Sequence, residues 1–162
     1  MRVVVQRVSE ASVDVINELG TLDPTFESQQ IGPGFMILVG VTDEDGAQQI
    51  AWLTHKILNL RVFEDEQGKM NRSLQDIGGE ILSISQFTLF ADVHKGNRPS
   101  FIKAGKPEHA DLMWIKFNEA LRSGGVPVKE GRFGAHIRVG LVNDGPVTIV
   151  IDTEHDMPDG TR

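Results

Sequence analysis

Apolar and polar positions alternate from the start of the chain. Val3, Val5 and Arg7 fall on one side of a period-two pattern and Val4, Gln6 and Val8 on the other; Ser12 to Ile16 alternates again, so two strands are predicted. Asn17-Glu18-Leu19-Gly20 suits a turn, and Thr21 to Gln30, with Pro24 and few apolar residues, reads as an extended loop. Ile31-Gly32-Pro33-Gly34 is a turn by composition, and the continuous apolar run from Phe35 to Val41 is a buried strand. The period then changes. Ile50, Leu53, Ile57 and Leu58 recur at helical spacing, which predicts a helix over about 47–59 with acidic residues at its start.

Leu60 to Phe63 is a predicted strand, followed by a turn at Asp65-Glu66-Gln67-Gly68. Ile81 to Ser85 and Phe87 to Phe90 are short β-type runs. A second helix has the clearest signal. Pro107 suits its first turn, Ala110, Met113, Trp114, Phe117 and Leu121 share one face, and Gly124-Gly125 ends it. Two last strands, Ile137–Val142 and Val147–Ile151, bracket Asn143-Asp144-Gly145-Pro146. The tail after Asp152 is acidic with few apolar residues and is expected to be poorly ordered. These elements predict a single mixed α/β domain over residues 1–152, with sheet covered by two helices.

At 162 residues the chain is long enough to bury its own core, and it contains no cysteine. Disulfides, thiolate metal sites and a thiol nucleophile are thereby excluded. The residues after Met1 do not form a signal-peptide core, and the apolar run at Phe35 to Val39 is far short of the ~20 residues of a membrane span. A soluble, cytoplasmic protein without a membrane partner is expected. The formal charge of −7 argues against broad binding to nucleic-acid backbone, DNA included. One segment opposes that balance. Of the 16 Lys and Arg, four (Lys95, Arg98, Lys103, Lys106) stand between Asp92 and Lys106, against one of the 23 acids. A solvated loop and a landing site for a polyanion both fit it.

Most familiar chemistries are missing. The acidic runs Asp43-Glu44-Asp45 and Glu64-Asp65-Glu66 lack calcium-loop spacing and read as solvated turns. His55, His94, His109, His136 and His155 form no metal-ligand pair, and His55 and His109 are expected to face solvent on their helices. No metal site or cofactor is expected. There is no nucleophile elbow, P-loop or dinucleotide fingerprint. Two segments remain, Ser85-Gln86-Phe87-Thr88-Leu89 and Asn143-Asp144-Gly145-Pro146-Val147-Thr148. By spacing alone the first is also an ordinary half-buried strand and the second an ordinary tight turn.

With these segments, the chain resembles the D-aminoacyl-tRNA (D-tyrosyl-tRNA) deacylases. Further matching stretches are Arg2 to Val8 with Ala11-Ser12-Val13, Lys56 to Phe63, Gly68-Lys69-Met70-Asn71, Lys95 to Phe101 and Phe133-Gly134-Ala135. The resemblance implies a deacylase-like fold of two β-sheets with two main helices packed on one side. It also implies a homodimer that hydrolyses D-aminoacyl-tRNA at its acceptor end, accepts glycyl-tRNA and rejects L-aminoacyl-tRNA. Ser85, Gln86, Phe87 and Thr88 match the pocket motif beside the scissile ester. Gly145-Pro146 matches a cis Gly-Pro turn that reaches into the partner's pocket, Arg7 an arginine that braces it, and Phe133 a residue of the pocket wall. For such a substrate the basic segment offers Lys95 and Arg98 as candidate tRNA contacts. Thr88 resembles a residue once proposed as nucleophile, but no base lies at triad spacing, so water assisted by the substrate's 2′-hydroxyl is the expected attacking group. The chain departs from the pattern in its longer 16–30 region, in Ile137 where methionine is common, and in its tail, residues 153–162.

Overall fold

A computed structural model describes residues 1–158. Its elements run β1 (Arg2–Val15), β2 (Gln29–Ile31), β3 (Gly34–Gly40), α1 (Ala47–Asn59), β4 (Phe63–Glu64), β5 (Met70–Arg72), β6 (Glu80–Ser85), a 3₁₀ turn (Phe87–Phe90), α2 (Pro107–Ser123), β7 (Val128–Glu130), β8 (Ile137–Asp152) and α3 (Thr153–Asp156). Six strands form one sheet in the order β2-β1-β3-β6-β7, with β8 on the other edge of β1, while β4 and β5 form a separate two-stranded sheet. The mixed α/β class and the two sheets agree with the sequence reading.

The first two predicted strands are one strand. Val3 and Val5 enter the core cluster that the helices cover, whereas Val8, Ala11 and Val13 enter a second cluster. The switch has a local cause. Val8 pairs with Asn143 and Glu10 with Val142, so two residues of β1 oppose one of β8, and the extra residue turns the following positions to the other face. A sequence pattern broken in phase therefore looks like two strands. The last two predicted strands likewise belong to one, β8, which leaves its ladder between Asn143 and Thr148 and then resumes.

Both long helices lie where periodicity puts them. Ile50, Leu53, Ile57 and Leu58 of α1 and Ala110, Met113, Trp114, Phe117 and Leu121 of α2 are buried. Each large apolar side chain so placed contributes about 1.5–3 kcal/mol. The acidic residues expected in the first turn of α1 instead precede its cap, Gly46. Trp114 Nε1 donates to Ser83 Oγ at 2.9 Å, tying α2 to the middle of β6. Asn118 of α2 is 0% exposed, and neither amide atom has a hydrogen-bond partner among the described residues. An unpartnered buried amide costs about 1–3 kcal/mol, so Asn118→Leu, which keeps the branched outline without the polar atoms, is expected to raise the melting temperature. A lower midpoint in thermal unfolding would contradict this account.

The tail is not loose at its start. Thr153–Asp156 forms a helical turn capped by the Asp152 side chain, and Met157 is 2% exposed. Thr153 donates through N and Oγ1 to the Met1 carbonyl at 2.9 and 3.1 Å. The Met1 ammonium donates to Thr153 Oγ1 at 2.7 Å and pairs with Asp45. Composition predicted disorder here because these contacts reach back to the opposite end of the chain. The remainder of the tail, 159–162, lies outside the described residues. His109 is likewise more than a solvent-facing imidazole: it is half-buried, with Nε2 3.0 Å from the Asp45 carbonyl. No helix among the described residues is long and apolar enough to cross a membrane.

Candidate active site

The first candidate segment stands where β6 stops. Parallel pairing with β3 ends at Ser85 opposite Val39, and Gln86 N donates to the Val39 carbonyl at 2.8 Å. The chain then winds into the 3₁₀ turn, with Leu89 N bonded to Gln86 O and Ala91 N to Thr88 O. Phe87–Phe90 is thus not the strand its apolar pattern suggests. On a strand Gln86 and Thr88 would simply share a face; here Gln86 Nε2 donates to Thr88 Oγ1 at 2.5 Å. Phe87 is 56% exposed and meets the Phe101 ring edge-on at 5.1 Å. Thr88 is exposed, and among the described residues no acidic or imidazole side chain is bonded to its hydroxyl.

Gly40 makes room for this turn. A Cβ there would stand 2.9 Å from the Phe90 ring, 3.2 Å from Gln86 O and 3.2 Å from Leu89 Cβ. Gly40→Ala therefore has to push the turn off β3. It is expected to lower kcat about tenfold or more, since small misplacements at a reacting site are costly. Wild-type kcat in folded Gly40→Ala would remove the turn from the chemistry.

The second segment is the excursion of β8. Gln6 pairs with Thr148 and Val8 with Asn143, so Asp144–Val147 bulges out opposite Arg7. Asn143 bridges the base of the loop: its Oδ1 accepts from Val147 N at 3.1 Å and its Nδ2 donates to Thr148 Oγ1 at 2.9 Å. Arg7 is 6% exposed; Nε donates to Asp144 O at 2.9 Å and Nη1 to Val62 O at 2.6 Å. Gly145 has φ +131°, the Gly145-Pro146 peptide is cis, and both residues are exposed.

Within one chain these two segments do not meet. The loop lies beside Arg7, which pairs with Phe35, whereas Gln86 lies beyond Val39. β8 and β6 are also separated by β1 and β3. At ordinary sheet spacings that is roughly 20 Å.

Phe133 is half-buried, 6.2 Å from the Trp114 ring centroid. Its neighbour Arg132 binds the longer 16–30 region, bonding Asp23 at 2.9 Å and the Thr25 carbonyl at 3.0 Å, with its guanidinium 5.3 Å from the Phe26 ring centre. Hydrogen bonds from the Thr25 hydroxyl and N–H, with the Arg132 charge, hold the Asp23 carboxyl below the usual carboxylate range. Lys95 and Arg98 are exposed on a finger closed by the Asp92–Ser100 bridge. Its far end is anchored by Gly105 N on Val41 O and Lys106 N on Asp43 Oδ1, both at 2.8 Å. Sequence reasoning missed Gly40 and Arg132, whose roles depend on segments remote in the chain.

The molecule is thus a mixed α/β domain that carries two loop-built segments at the margins of its main sheet. The family profile described as D-Tyr-tRNA(Tyr) deacylase matches residues 4–152. The D-aminoacyl-tRNA deacylase of Bifidobacterium longum subsp. infantis is 94% identical over 162 residues, covering 100% of each chain. That of Thermomicrobium roseum is 56% identical over 153 residues, covering 94% of each. A solved structure titled c-Myc DNA Unwinding Element Binding Protein superposes with a TM-score of 0.82 at 44% identity, covering 94% of this chain and 98% of that one. A probable eukaryotic D-amino acid tRNA deacylase shares the fold at 18% identity and a TM-score of 0.73, covering 93% and 97%. The chain belongs to the D-Tyr-tRNA(Tyr) deacylase family.

Proposed function

We propose that this protein hydrolyses the ester of D-aminoacyl-tRNA, with its site built between two copies of the chain. The observation that carries the reading is the separation of the two candidate segments within one chain, with Phe87 and Thr88 exposed at one sheet margin and Gly145-Pro146 at another. In a homodimer the Asp144–Val147 loop of one copy enters the Ser85–Thr88 cleft of the other. Carbonyls of that loop receive the substrate's α-ammonium, and main chain standing where an L side chain would project excludes that isomer. Glycyl-tRNA, having no side chain, passes the same filter.

At the cleft, Phe87 packs against the terminal adenosine, with Phe101 behind it, and Phe133 contributes to the pocket wall. The backbone N–H groups of Phe87 and Thr88 face the developing oxyanion, that of Gln86 being taken by the Val39 carbonyl. Water adds to the ester carbonyl, assisted by the substrate's 2′-hydroxyl; the acyl–oxygen bond breaks, and the ribose oxygen takes the proton. Thr88, whose hydroxyl accepts from Gln86 with no base beside it, positions rather than attacks. Lys95 and Arg98 contact acceptor-end phosphates, a footprint small enough for an acidic protein. Substrate and charge fit work in the cytoplasm.

In the presence of chelator the purified protein is expected to release D-tyrosine from tRNA and leave L-tyrosine attached. Equal hydrolysis of both isomers sinks the selectivity argument. Thr88→Ala is expected to keep kcat within about tenfold of wild type. A trapped acyl-enzyme in the wild type, with a loss of several decades in the variant, would restore threonine as nucleophile.

A further inference from the structure

Arg2 takes no part in the chemistry described so far, yet its side chain joins three separate parts of the fold. Nε and Nη2 bind Asp152 Oδ2 at 2.8 and 2.6 Å. Nη1 donates to the Leu89 carbonyl at 2.7 Å, and the guanidinium carbon lies 5.0 Å from the centre of the Phe90 ring. Leu89 and Phe90 are the last two residues of the 3₁₀ turn that begins at Phe87. Asp152 is itself held from behind: its Oδ1 accepts from Glu154 N at 3.0 Å, and its N donates to Asp156 Oδ2 at 2.8 Å.

We propose that Arg2 is a positioning residue for deacylation, setting the place of Phe87 and Thr88 through Leu89 and Phe90, with Asp152 and α3 as its support. The proposal rests on the reading of Ser85–Thr88 as the reacting segment. A surface ion pair alone would explain the Asp152 contact. It does not explain the third donor on Leu89 or the ring beneath the guanidinium.

The turn needs such a brace. The bonds that tie its ends to the flanking chain are not short, Leu89 N to Gln86 O at 3.4 Å and Ala91 N to Thr88 O at 3.1 Å. Short 3₁₀ turns have poor hydrogen-bond geometry, so a charge-assisted bond to Leu89 O adds a stronger hold than the turn's own ladder supplies at that residue. The fork of arginine serves both partners at once, two nitrogens on the carboxylate and the third on the carbonyl. Burial works against the charge of Asp152. Hydrogen bonds from Arg2 and from Glu154 N–H, with the Arg2 charge, outweigh it and keep the carboxyl below the usual range. The support therefore stays ionised at neutral pH. α3 lies beyond residue 152, where the family match ends, so this chain supports its turn with a segment outside that match.

The test compares Arg2→Met, which keeps the stem, with Arg2→Lys and Asp152→Asn in the full-length protein. Arg2→Met is expected to lower kcat for D-tyrosyl-tRNA about tenfold or more with KM within about twofold, because ground-state contacts of the tRNA remain. Amide exchange is expected to speed up in peptides covering 86–91 and to stay unchanged across β1 and β3. Arg2→Lys, able to serve one partner at a time, should recover part of the rate. Asp152→Asn should slow the reaction, and adding it to Arg2→Met should cost little more. A wild-type kcat in Arg2→Met, or faster exchange spread over the whole sheet, overturns the positioning role. Gln86→Ala and Phe87→Ala separate the two claims. If both hydrolyse at the wild-type rate, the reading of the site falls and the role of Arg2 with it. If both are slow and Arg2→Met is not, the Arg2 role alone falls.

Discussion

Arg7→Ala is expected to lower kcat/KM for D-aminoacyl-tRNA by about a hundredfold while costing only about 1–3 kcal/mol of stability. The two effects differ because of how the guanidinium is held. Arg7 is buried and donates to two main-chain carbonyls, Asp144 O in the β8 loop and Val62 O ahead of β4. Among the described residues no carboxylate pairs with it. Removing the side chain abandons two charge-assisted bonds but also relieves the cost of a desolvated cation, so the net loss of stability is moderate. The loop has no such compensation. Asp144 O loses its donor, and the exposed Gly145-Pro146 tip loses its fixed position. Arg7→Lys is expected not to rescue, since one ammonium cannot span both carbonyls as the fork does. Steady-state kinetics alongside thermal melts checks this; a folded Arg7→Ala with wild-type kcat/KM refutes the bracing role.

Gly34→Ala is expected to be the most destabilising small change in the chain, by more than about 4 kcal/mol. An added Cβ would fall 1.9 Å from Glu80 O and 2.7 Å from Glu80 N, both main-chain atoms. No rotamer relieves such an overlap; β3 and β6 have to part at the first rung of their parallel pairing, Gly34 with Glu80. The same strand delivers Ser85 and Gln86 to the cleft five and six residues later, so any folded fraction should also be slow. Urea unfolding with a midpoint near that of the wild type would show that the strands separate cheaply.

The two long helices were legible in the sequence because their signals are local. Apolar spacing, Pro107 at the start of α2 and Gly124-Gly125 at its end need no information from elsewhere, and the structure gives Pro107–Ser123. The long strands were legible except where a partner strand decides their shape, whereas the three-residue strands β2, β5 and β7 are too short to carry a pattern and were not predicted. The phase change in β1 comes from its pairing with β8, and the 3₁₀ turn at Phe87 comes from the end of pairing with β3; neither leaves a mark in its own segment. The candidate site was legible only as a resemblance. Gln86 and Thr88 gave no sign of bonding to each other, because that bond needs the turn. Arg2, Asp152 and Leu89 are far apart in sequence, and no local pattern joins them.

The excursion of β8 has a consequence for how the protein tolerates change. Pairing with β1 is intact at Asn143 on one side and at Thr148 on the other. The loop between is thus insulated from the ladder, and its local opening need not spread into the cooperative unit around it. In the function proposed above, selectivity and folding therefore depend on separate stretches of one strand. Residues at the tip are free to adapt to a substrate while the rungs on either side keep the sheet intact.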